Sequence, residues 1–556
     1  MIPPLQDPER VNLPSPAIVA ERSAERLPRL ALILLCAAYV LPGVFGRDPW
    51  RNADLTAFGF MASIAEGRAP WWQPAIAGIP AEGGPLPYWL GALAIKALPF
   101  LSAPLAARLP YAFVLVGVLI AVWYACFHLA RTEAAQPVAF AFGGEAQAVD
   151  YARALADGAL LALMASLGLL RLGHETTPEL VQLLAVSGYL YGLAAAPFRR
   201  ISSRVAVLIA LPALAASGAP TVACLLGMLG VLLNHRSSYR EAKDQRVWLL
   251  GALTLAVLAA WAFNAWAWRV QAELRIKPLL SLLAWFCWPS GPMALWTLWS
   301  WRRHRMRRHI TVPFIALLVP VLACITMDSS DRALLLALPS LAILAAFALP
   351  TLSRGFSAAV DWFSVFFFSA AALFFWVYYV SLHTGWPAQP LTNMRRLADG
   401  LIPQFSACTL ALAITATLAW LALVRWRTAR HRHALWKSLA LPAGGVALGW
   451  LLTMSLLLPP LDYALSDSPV VARLKPHVPA DVNCLAAPGQ SLPLLAAMEW
   501  HGGWRMRATG TLADTSCSHA IIGIAHAVPS GWTMVAQVRR PTDRSGAGGL
   551  VLIRRQ

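Results

Sequence analysis

Charged and aromatic side chains with the potential for chemistry cluster between the first two long apolar runs of the sequence. The stretch 46–89 carries the charged residues Arg47, Asp48, Arg51, Asp54, Glu66, Arg68 and Glu82. It also carries the aromatic residues Trp50, Trp71, Trp72, Tyr88 and Trp89, which suit a membrane–water interface. A carboxylate near the bilayer centre costs about 2.5 to 3.5 kcal/mol, so each one needs a reason. The mixture predicts a folded loop at a membrane face.

Asp54 and Asp157 are the two candidate catalytic carboxylates. Asp54 opens the helical-looking segment LTAFGFMASIAEG, where it could cap the first turn, act as a functional carboxylate, or do both. Asp157, in ARALADGALLAL, lies at the predicted outer end of the fourth span and could instead be a helix-end carboxylate that faces water. Asp48 precedes Pro49 and suits a turn. Glu175 precedes Pro178, which favours a capping role on the cytoplasmic side.

The composition indicates a polytopic membrane protein. Apolar residues make up 58% of the chain and charged residues only 13%, with a mean hydropathy of +0.58. The formal charge of +18 comes from short arginine clusters between apolar runs, where membrane orientation and anionic lipid head groups explain it. No basic module of a nucleic-acid-binding fold is recognisable, so nucleic acid is not an expected partner.

Hydropathy predicts thirteen membrane spans. The first, 30–45, lacks a small-residue cleavage signature and is interpreted as an uncleaved span rather than a signal peptide. The others cover approximately 86–101, 108–130, 155–172, 179–196, 219–234, 247–267, 278–300, 311–326, 331–350, 361–382, 404–425 and 438–458.

The positions of arginine and lysine predict the orientation of the chain in the membrane. The basic clusters 236–246, 302–308 and 425–437 are separated by even numbers of spans, so all three can be cytoplasmic. This places the N-terminus inside and the residues after Pro460 outside. The predicted outer segments are 46–84, 132–156, 268–277, 383–403 and 461–556.

One apolar segment conflicts with this count. Residues 201–218 are apolar enough to span, but an added span would flip every preceding loop. We therefore predict that the segment is re-entrant or lies in the interface. Arg199, Arg200 and Arg204 would then lie outside, against the charge rule.

The C-terminal region changes character. TMVAQV and GLVLIRR alternate like strands and flank the turn-rich PTDRSGAGG, which predicts a small α/β or mostly β domain. Cys484 and Cys517 would face an oxidising compartment there and form a disulfide, while the other six cysteines lie in apolar runs. No metal-ligand spacing such as CxxC or HExxH occurs. The predicted division is a cytoplasmic tail 1–29, a transmembrane domain 30–460 and an extracytoplasmic domain 461–556.

The ordered motifs resemble the GT-C membrane glycosyltransferases, in the branch of protein O-mannosyltransferases and aminoarabinose transferases that modify lipid A. Asp54 with its helical segment resembles their acidic position, and GPLPYWL (84–90) resembles the start of their second span. AARLPYAF (106–113), Asp157 and DRALLLALP (331–339) follow in the same order. Two departures are Leu55, where a second acid is common, and Gly83–Gly84, where aminoarabinose transferases have a lysine.

The resemblance implies transfer of a sugar from a polyprenyl-phosphate-linked donor to a lipid, glycan or protein acceptor. The reaction would occur at the outer face of a bacterial inner membrane. Asp54 would be the base, and Asp157 would position the acceptor or an arginine. The candidate substrate-binding residues are Arg47, Asp48, Arg51, Tyr88, Arg269 and Arg275, with the arginines neutralising the departing phosphate. No cofactor other than the lipid-linked donor is expected, and a divalent metal is left open.

Two other classes of protein are alternatives to a glycosyltransferase. A transporter or lipid flippase would need charges along a path through the membrane and an internal repeat, and neither is evident in the sequence. A non-catalytic, lipid-binding relative of the same fold would be compatible with the missing second acid beside Asp54.

Overall fold

The computed structural model describes residues 14–267, 276–327, 330–398, 400–428, 434–482, 484–540 and 549–556. Contacts divide the chain into two compact units. Unit 1 comprises Met1–Pro42, Ala112–Ala372 and Ile414–Leu451, and unit 2 comprises Gly43–Tyr111, Leu373–Ala413 and Leu452–Gln556.

Helices dominate the described residues. In chain order they are α1 Arg29–Val40, α2 Ala53–Ala65, α3 Leu86–Ala97, α4 Ala103–Ala130, α5 Ala148–Ala165, α6 Leu167–Leu172, α7 Pro178–Ala195, α8 Arg200–Ala216, α9 Pro220–His235, α10 Arg240–Ala262, α11 Ile276–Phe286, α12 Ser290–Ser300, α13 Arg308–Thr326, α14 Asp331–Leu335, α15 Leu338–Ala348, α16 Arg354–Thr384, α17 Ala388–Leu397, α18 Ala407–Thr428, α19 Lys437–Leu456, α20 Leu458–Leu465, α21 Ser468–Leu474 and α22 Leu492–Ala497. The strands are β1 Ala75–Ile76, β2 Ile79–Pro80, β3 Cys484–Ala486, β4 Arg505–Arg507, β5 His519–Gly523, β6 Trp532–Val538 and β7 Leu550–Arg555.

Several of these helices are long and apolar enough to cross a membrane. Within the described ranges there are six, namely α4, α10, α13, α16, α18 and α19. The count is seven if α11 and α12, which are bent by 92° at a short break, form one broken span. Other predicted spans correspond to shorter helices, such as α1 with 12 residues and α9 with 16. The chain is therefore a polytopic helical membrane protein, and the number thirteen stays a prediction.

Unit 2 contains the predicted C-terminal sheet. Its five strands have the order β4-β3-β5-β7-β6, in which β4, β3 and β5 are parallel and β5, β7 and β6 are antiparallel. One face packs around Ala486, Ile522, Trp532 and Ile553, all at least nine-tenths buried. The two predicted C-terminal strands are confirmed as β6 and β7, and the sheet is of the α/β kind.

The C-terminal region also packs directly on the first loop. Helix α2 approaches α22 so closely that a Cβ on Gly59 would lie 2.6 Å from Cβ of Ala496. The Phe58 and Trp500 rings meet edge to face at 4.9 Å between centroids, in the π-helical turn Met498–Gly502 that follows α22. Glu499 of the same turn pairs with Arg68. Residues more than 400 positions apart thus form one core.

Contacts within unit 1 contradict part of the predicted orientation. The N–H of Val138 donates to the carbonyl of Ala17 at 3.0 Å, and the N–H of Ala146 donates to that of Val19 at 2.9 Å. These bonds join segments that were expected inside (1–29) and outside (132–156). Hydrogen-bonded segments lie on one face of a bilayer, so one of these two placements is wrong.

A second contact leads to the same correction. Arg332 donates to the carboxylate of Glu175 at 2.6 Å and lies 3.3 Å from that of Glu179. Counting predicted spans back from the C-terminus had placed residue 332 outside, whereas Glu175 was expected on the cytoplasmic side. Thr177, rather than Glu175, directly precedes α7, and the Glu175 carboxylate is ion-paired with Arg332 and Arg171.

The helices of two predicted segments differ from the expected spans. Helix α3 has only 12 residues, about 18 Å at 1.5 Å per residue, and ends two residues before Pro99. The hydrocarbon core is about 30 Å thick, so α3 and the equally short α1 would both need residues beyond the helix to cross it. In contrast, 200–216 forms one continuous helix, α8. The sequence had treated 86–101 as a span and 201–218 as none.

Candidate functional site

Asp54 lies in the first turn of α2 and is 1% exposed. One carboxylate oxygen, Oδ2, accepts from the Trp50 N–H at 3.1 Å and from Nη2 of Arg47 at 3.2 Å. The residue that flanks the helix is Asn52, with φ of 72°, so Asp54 is not the N-cap that one interpretation expected. A negative charge in a first turn is favoured by the helix dipole. The fold therefore places a buried carboxylate beside a guanidinium in the loop where chemistry was predicted.

Two arginines lie beside this carboxylate. Arg47 is 4% exposed, and its guanidinium also lies over the Trp50 ring, 4.4 Å from the centroid. Arg108, 5% exposed in the first part of α4, donates to the backbone carbonyl of Arg47. Burying two guanidiniums is costly unless anions or acceptors pair with them. The site thus buries two guanidiniums close to the Asp54 carboxylate at one end of α2.

Helix α20 supplies a further carboxylate. Asp462 Oδ1 accepts from the Asp48 N–H at 3.0 Å and from the Trp50 indole N–H at 2.9 Å. Burial raises the pKa of Asp462, and the negative charge of Asp48 raises it further, while the bond from Trp50 opposes both effects. Ser466 in turn donates its hydroxyl to the Asp48 carboxylate at 3.0 Å. These bonds hold the loop that carries Arg47, Asp48 and Trp50.

The remaining predicted residues of this loop occupy different settings. The Arg51 N–H donates to the Leu465 carbonyl at 2.8 Å, so the backbone of Arg51 is also bonded to α20. Tyr88 is buried in α3, and its ring packs against Phe60 of α2 at 5.0 Å between centroids. Arg269 and Arg275 lie outside the described residues.

His501 stands near the acidic groups of this loop. Its imidazole lies in the π-helical turn, where burial lowers its pKa and the charges of Asp48 and Asp467 oppose that shift. Asp467 is fully buried and pairs with Arg540 at 2.9 Å. Single π-helical turns are frequent at functional sites. The neighbourhood of Asp48 therefore contains titratable groups from three separate parts of the sequence.

Asp157 belongs to unit 1 and has a different kind of environment. It is 4% exposed, and its carboxylate accepts from the Trp123 indole N–H at 2.8 Å and from the Leu27 backbone N–H at 3.0 Å. Leu27 lies just before α1, and the neighbouring Arg26 pairs with Asp150 at 3.2 Å. Asp157 thus ties the start of α1 to α4 and α5.

The predicted disulfide joins Cys484 to Cys517, with Cα atoms 5.5 Å apart, and it links β3 to the residues before β5. The prediction of this bond is confirmed. Across the ranges that the structure describes, no group of three or more His, Cys, Asp or Glu side chains is arranged to hold a metal ion.

Sequence reasoning missed Arg108, Asp462, Ser466, Glu499 and His501. Arg108 stands in AARLPYAF, a motif that was recognised but given no role. The other four residues follow the last predicted span, a region interpreted as a separate domain. One signal was available, since LPPLDYALSDSP mixes acidic and apolar residues at a membrane boundary in the same way as the stretch 46–89.

Comparison with solved structures identifies proteins of the same fold. The chain is 13% identical to ArnT from Cupriavidus metallidurans bound to undecaprenyl phosphate, with 95% of this chain and 98% of that chain covered and a TM-score of 0.58. For ArnT in the apo state the identity is 13%, the coverage 94% and 96%, and the TM-score 0.59. No family model matches the chain, and no curated protein matches it significantly in sequence. The likeness covers both units nearly completely.

Proposed function

We propose that this chain, which has the fold of the GT-C membrane glycosyltransferases, transfers a sugar from a polyprenyl-phosphate-linked donor to an acceptor at the outer face of a bacterial inner membrane. The acceptor is a lipid, a glycan or a protein, and modification of lipid A is one such reaction. The observation that carries the proposal is the buried pair of Asp54 and Arg47 at the start of α2. That ArnT was crystallised with undecaprenyl phosphate supports a lipid-linked donor here.

Asp54 serves as the general base in this proposal. The acceptor oxygen forms a bond to the anomeric carbon of the sugar while its proton passes to the Asp54 carboxylate. The bond from the anomeric carbon to the phosphate oxygen breaks, and polyprenyl phosphate leaves with the electron pair. Attack opposite the leaving group inverts the anomeric centre. If the acceptor is itself a phosphate, Asp54 instead orients it or a basic partner.

Arg47 has two tasks in the reaction. It provides the counter-charge for Asp54 in the resting enzyme, at 3.2 Å. A guanidinium also stabilises the negative charge that develops on the departing phosphate, and such preorganised donors contribute strongly to catalysis. Arg108 keeps Arg47 in place through the Arg47 carbonyl. Arg51, Arg269 and Arg275 stay candidates for further phosphate contacts.

A revised membrane topology accompanies this function. Removing 86–101 from the spans and adding 201–218 keeps thirteen crossings and an inner N-terminus. It moves Arg199, Arg200 and Arg204 to the inner face with the other basic clusters, as the charge rule requires. It brings 17–27 and 138–157 to the inner face together, and it brings Glu175 and Arg332 to the outer face together. The loop 46–84 and the C-terminal region stay outside, in the periplasm.

Mass spectrometry of the cell envelope tests the function. Lipids, glycans and glycoproteins are compared among cells that lack the chain and cells complemented with the wild type or with Asp54→Asn. We expect one sugar modification to return with the wild type and not with the variant, which keeps the shape of the side chain but loses the base. Full restoration by Asp54→Asn would refute the role of Asp54. An unchanged envelope in all three strains would favour a transporter or a non-catalytic lipid-binding protein.

A further inference from the structure

Asp462 joins the C-terminal region to the loop that carries the proposed base. It lies in α20, and its Oδ1 atom receives two hydrogen bonds, from the Asp48 N–H at 3.0 Å and from the Trp50 indole N–H at 2.9 Å. A carboxyl oxygen has two lone pairs, so Oδ1 can accept both bonds at once. A single oxygen of Asp462 therefore fixes two points of the loop.

Trp50 extends this connection to the proposed catalytic groups. Its backbone N–H donates to Oδ2 of Asp54 at 3.1 Å, and its ring lies 4.4 Å below the guanidinium of Arg47. The side chain is 5% exposed, so its indole N–H needs a partner inside the protein. Trp50 thus contacts Asp462 with its indole N–H, Arg47 with its indole ring and Asp54 with its backbone N–H.

Two further hydrogen bonds connect the same two segments, and together these contacts form a joint between residues 48–51 and 462–466. Ser466 donates to the Asp48 carboxylate at 3.0 Å, and the Arg51 N–H donates to the Leu465 carbonyl at 2.8 Å. Residues 48–51 are therefore held by residues 462–466 through backbone and side-chain bonds. The joint is made by α20 and the residue that follows it, before the five-stranded sheet begins.

We propose that Asp462 is a positioning residue, which sets the location of Asp54 and Arg47 through the indole of Trp50. The inference rests on the proposed function for its effect on transfer, but the joint itself can be tested without any substrate. It gives the segment after the last span a specific task, which is to hold the first loop in its reactive geometry.

Amide hydrogen exchange of the full-length protein in detergent tests the joint. We expect Asp462→Ala to raise exchange at the Asp48 amide at least about tenfold, because its acceptor is lost, and to raise exchange at the Trp50 amide as the loop loosens. Asp462→Asn retains an acceptor oxygen and should stay close to wild type. Asp514→Ala is the matched control, because Asp514 is an exposed carboxylate of the same region that bonds to Thr511. Unchanged exchange at the Asp48 and Trp50 amides in Asp462→Ala would overturn the inference.

Kinetics then separates positioning from general destabilisation. With a polyprenyl-phosphate-linked sugar as donor, Asp462→Ala should lower kcat about 10- to 100-fold, since misplacing a reactive group by about 1 Å has effects of this size. The KM for the donor should change much less, and Asp462→Asn should restore kcat. Trp50→Phe, which keeps the ring but lacks the N–H, should have an effect that is not additive with Asp462→Ala.

The two readouts distinguish two kinds of failure. Faster exchange in Asp462→Ala together with no transfer by the wild type would support the joint and refute the proposed function. Faster exchange with transfer that is unaffected by Asp462→Ala would refute the positioning role. Additive effects of Trp50→Phe and Asp462→Ala on kcat would also refute it, because the proposed path passes through the indole.

Discussion

Two buried aspartates that look alike in the sequence have different surroundings in the fold. Asp54 is 1% exposed and Asp157 is 4% exposed, and both were expected to face the same membrane surface. Asp54 accepts from the guanidinium of Arg47, whereas the bonds described for Asp157 come from an indole and a backbone amide. Asp54 is therefore paired with a buried cation, whereas Asp157 joins separate parts of the chain.

The comparison separates the two proposed roles. Asp54 combines a base with nearby positive charge, which is what transfer from a lipid phosphate requires. Asp157 connects Leu27, at the entrance to α1, with Trp123 of α4. We therefore propose that Asp157 stabilises the protein and does not take part in the reaction, contrary to the expectation from the resemblance.

The first loop and the segment before Asp157 should differ most in their accessibility from outside the membrane. In a Cys408→Ser background, a membrane-impermeant maleimide should label Gln73→Cys in the first loop of intact spheroplasts. It should label Gln147→Cys, in the segment before Asp157, only after permeabilisation. Both glutamines are exposed, so the membrane rather than burial decides the result. Labelling of Gln147→Cys in intact spheroplasts would restore the outer placement of 132–156 and contradict the revised topology.

Substitutions of Asp157 and of Asp150 should differ by a smaller amount, in their effect on the stability of the protein. Asp157→Ala removes the acceptor of the partly buried N–H groups of Trp123 and Leu27. A typical intramolecular hydrogen bond contributes about 0.5 to 1.5 kcal/mol, so the two bonds together contribute about 1 to 3 kcal/mol. We expect the free energy of unfolding in detergent to fall by about that amount. Asp157→Asn should recover at most about half of it, because Trp123 and Leu27 bond to different oxygens and asparagine keeps only one acceptor oxygen. Asp150→Ala is the control, because Asp150 is half-exposed and such ion pairs contribute about 0 to 1 kcal/mol. Equal losses for Asp157→Ala and Asp150→Ala would contradict the structural role.

Local patterns in the sequence predicted several parts of the structure correctly. The helix that begins near Asp54, the strands β6 and β7, and the disulfide of Cys484 with Cys517 all follow from alternation, turn residues or compartment. Such features depend on residues that are close in sequence or on one general property of the environment, and a single sequence contains that information.

Distant contacts account for what was missed. Asp462 and Trp50 are 412 positions apart, and nothing in a single sequence indicates that they meet. Hydropathy also did not show that 17–19 bonds to 138–146 and that Arg332 pairs with Glu175, because these contacts join segments that are far apart in the sequence. The resemblance led to the right fold, yet it placed both Asp54 and Asp157 at the reaction site, and only the folded chain shows how different their partners are.

Reconstituted transfer tests the central claim most directly. The wild type, Asp54→Asn and Asp157→Asn are placed in proteoliposomes with an undecaprenyl-phosphate-linked sugar, and release of undecaprenyl phosphate is measured in the presence of envelope acceptors. Loss of a general base lowers rates about 10²- to 10⁴-fold, so we predict at least a hundredfold fall in kcat for Asp54→Asn and less than a threefold change for Asp157→Asn. Near wild-type release by Asp54→Asn, or equal losses in the two variants, would contradict the account.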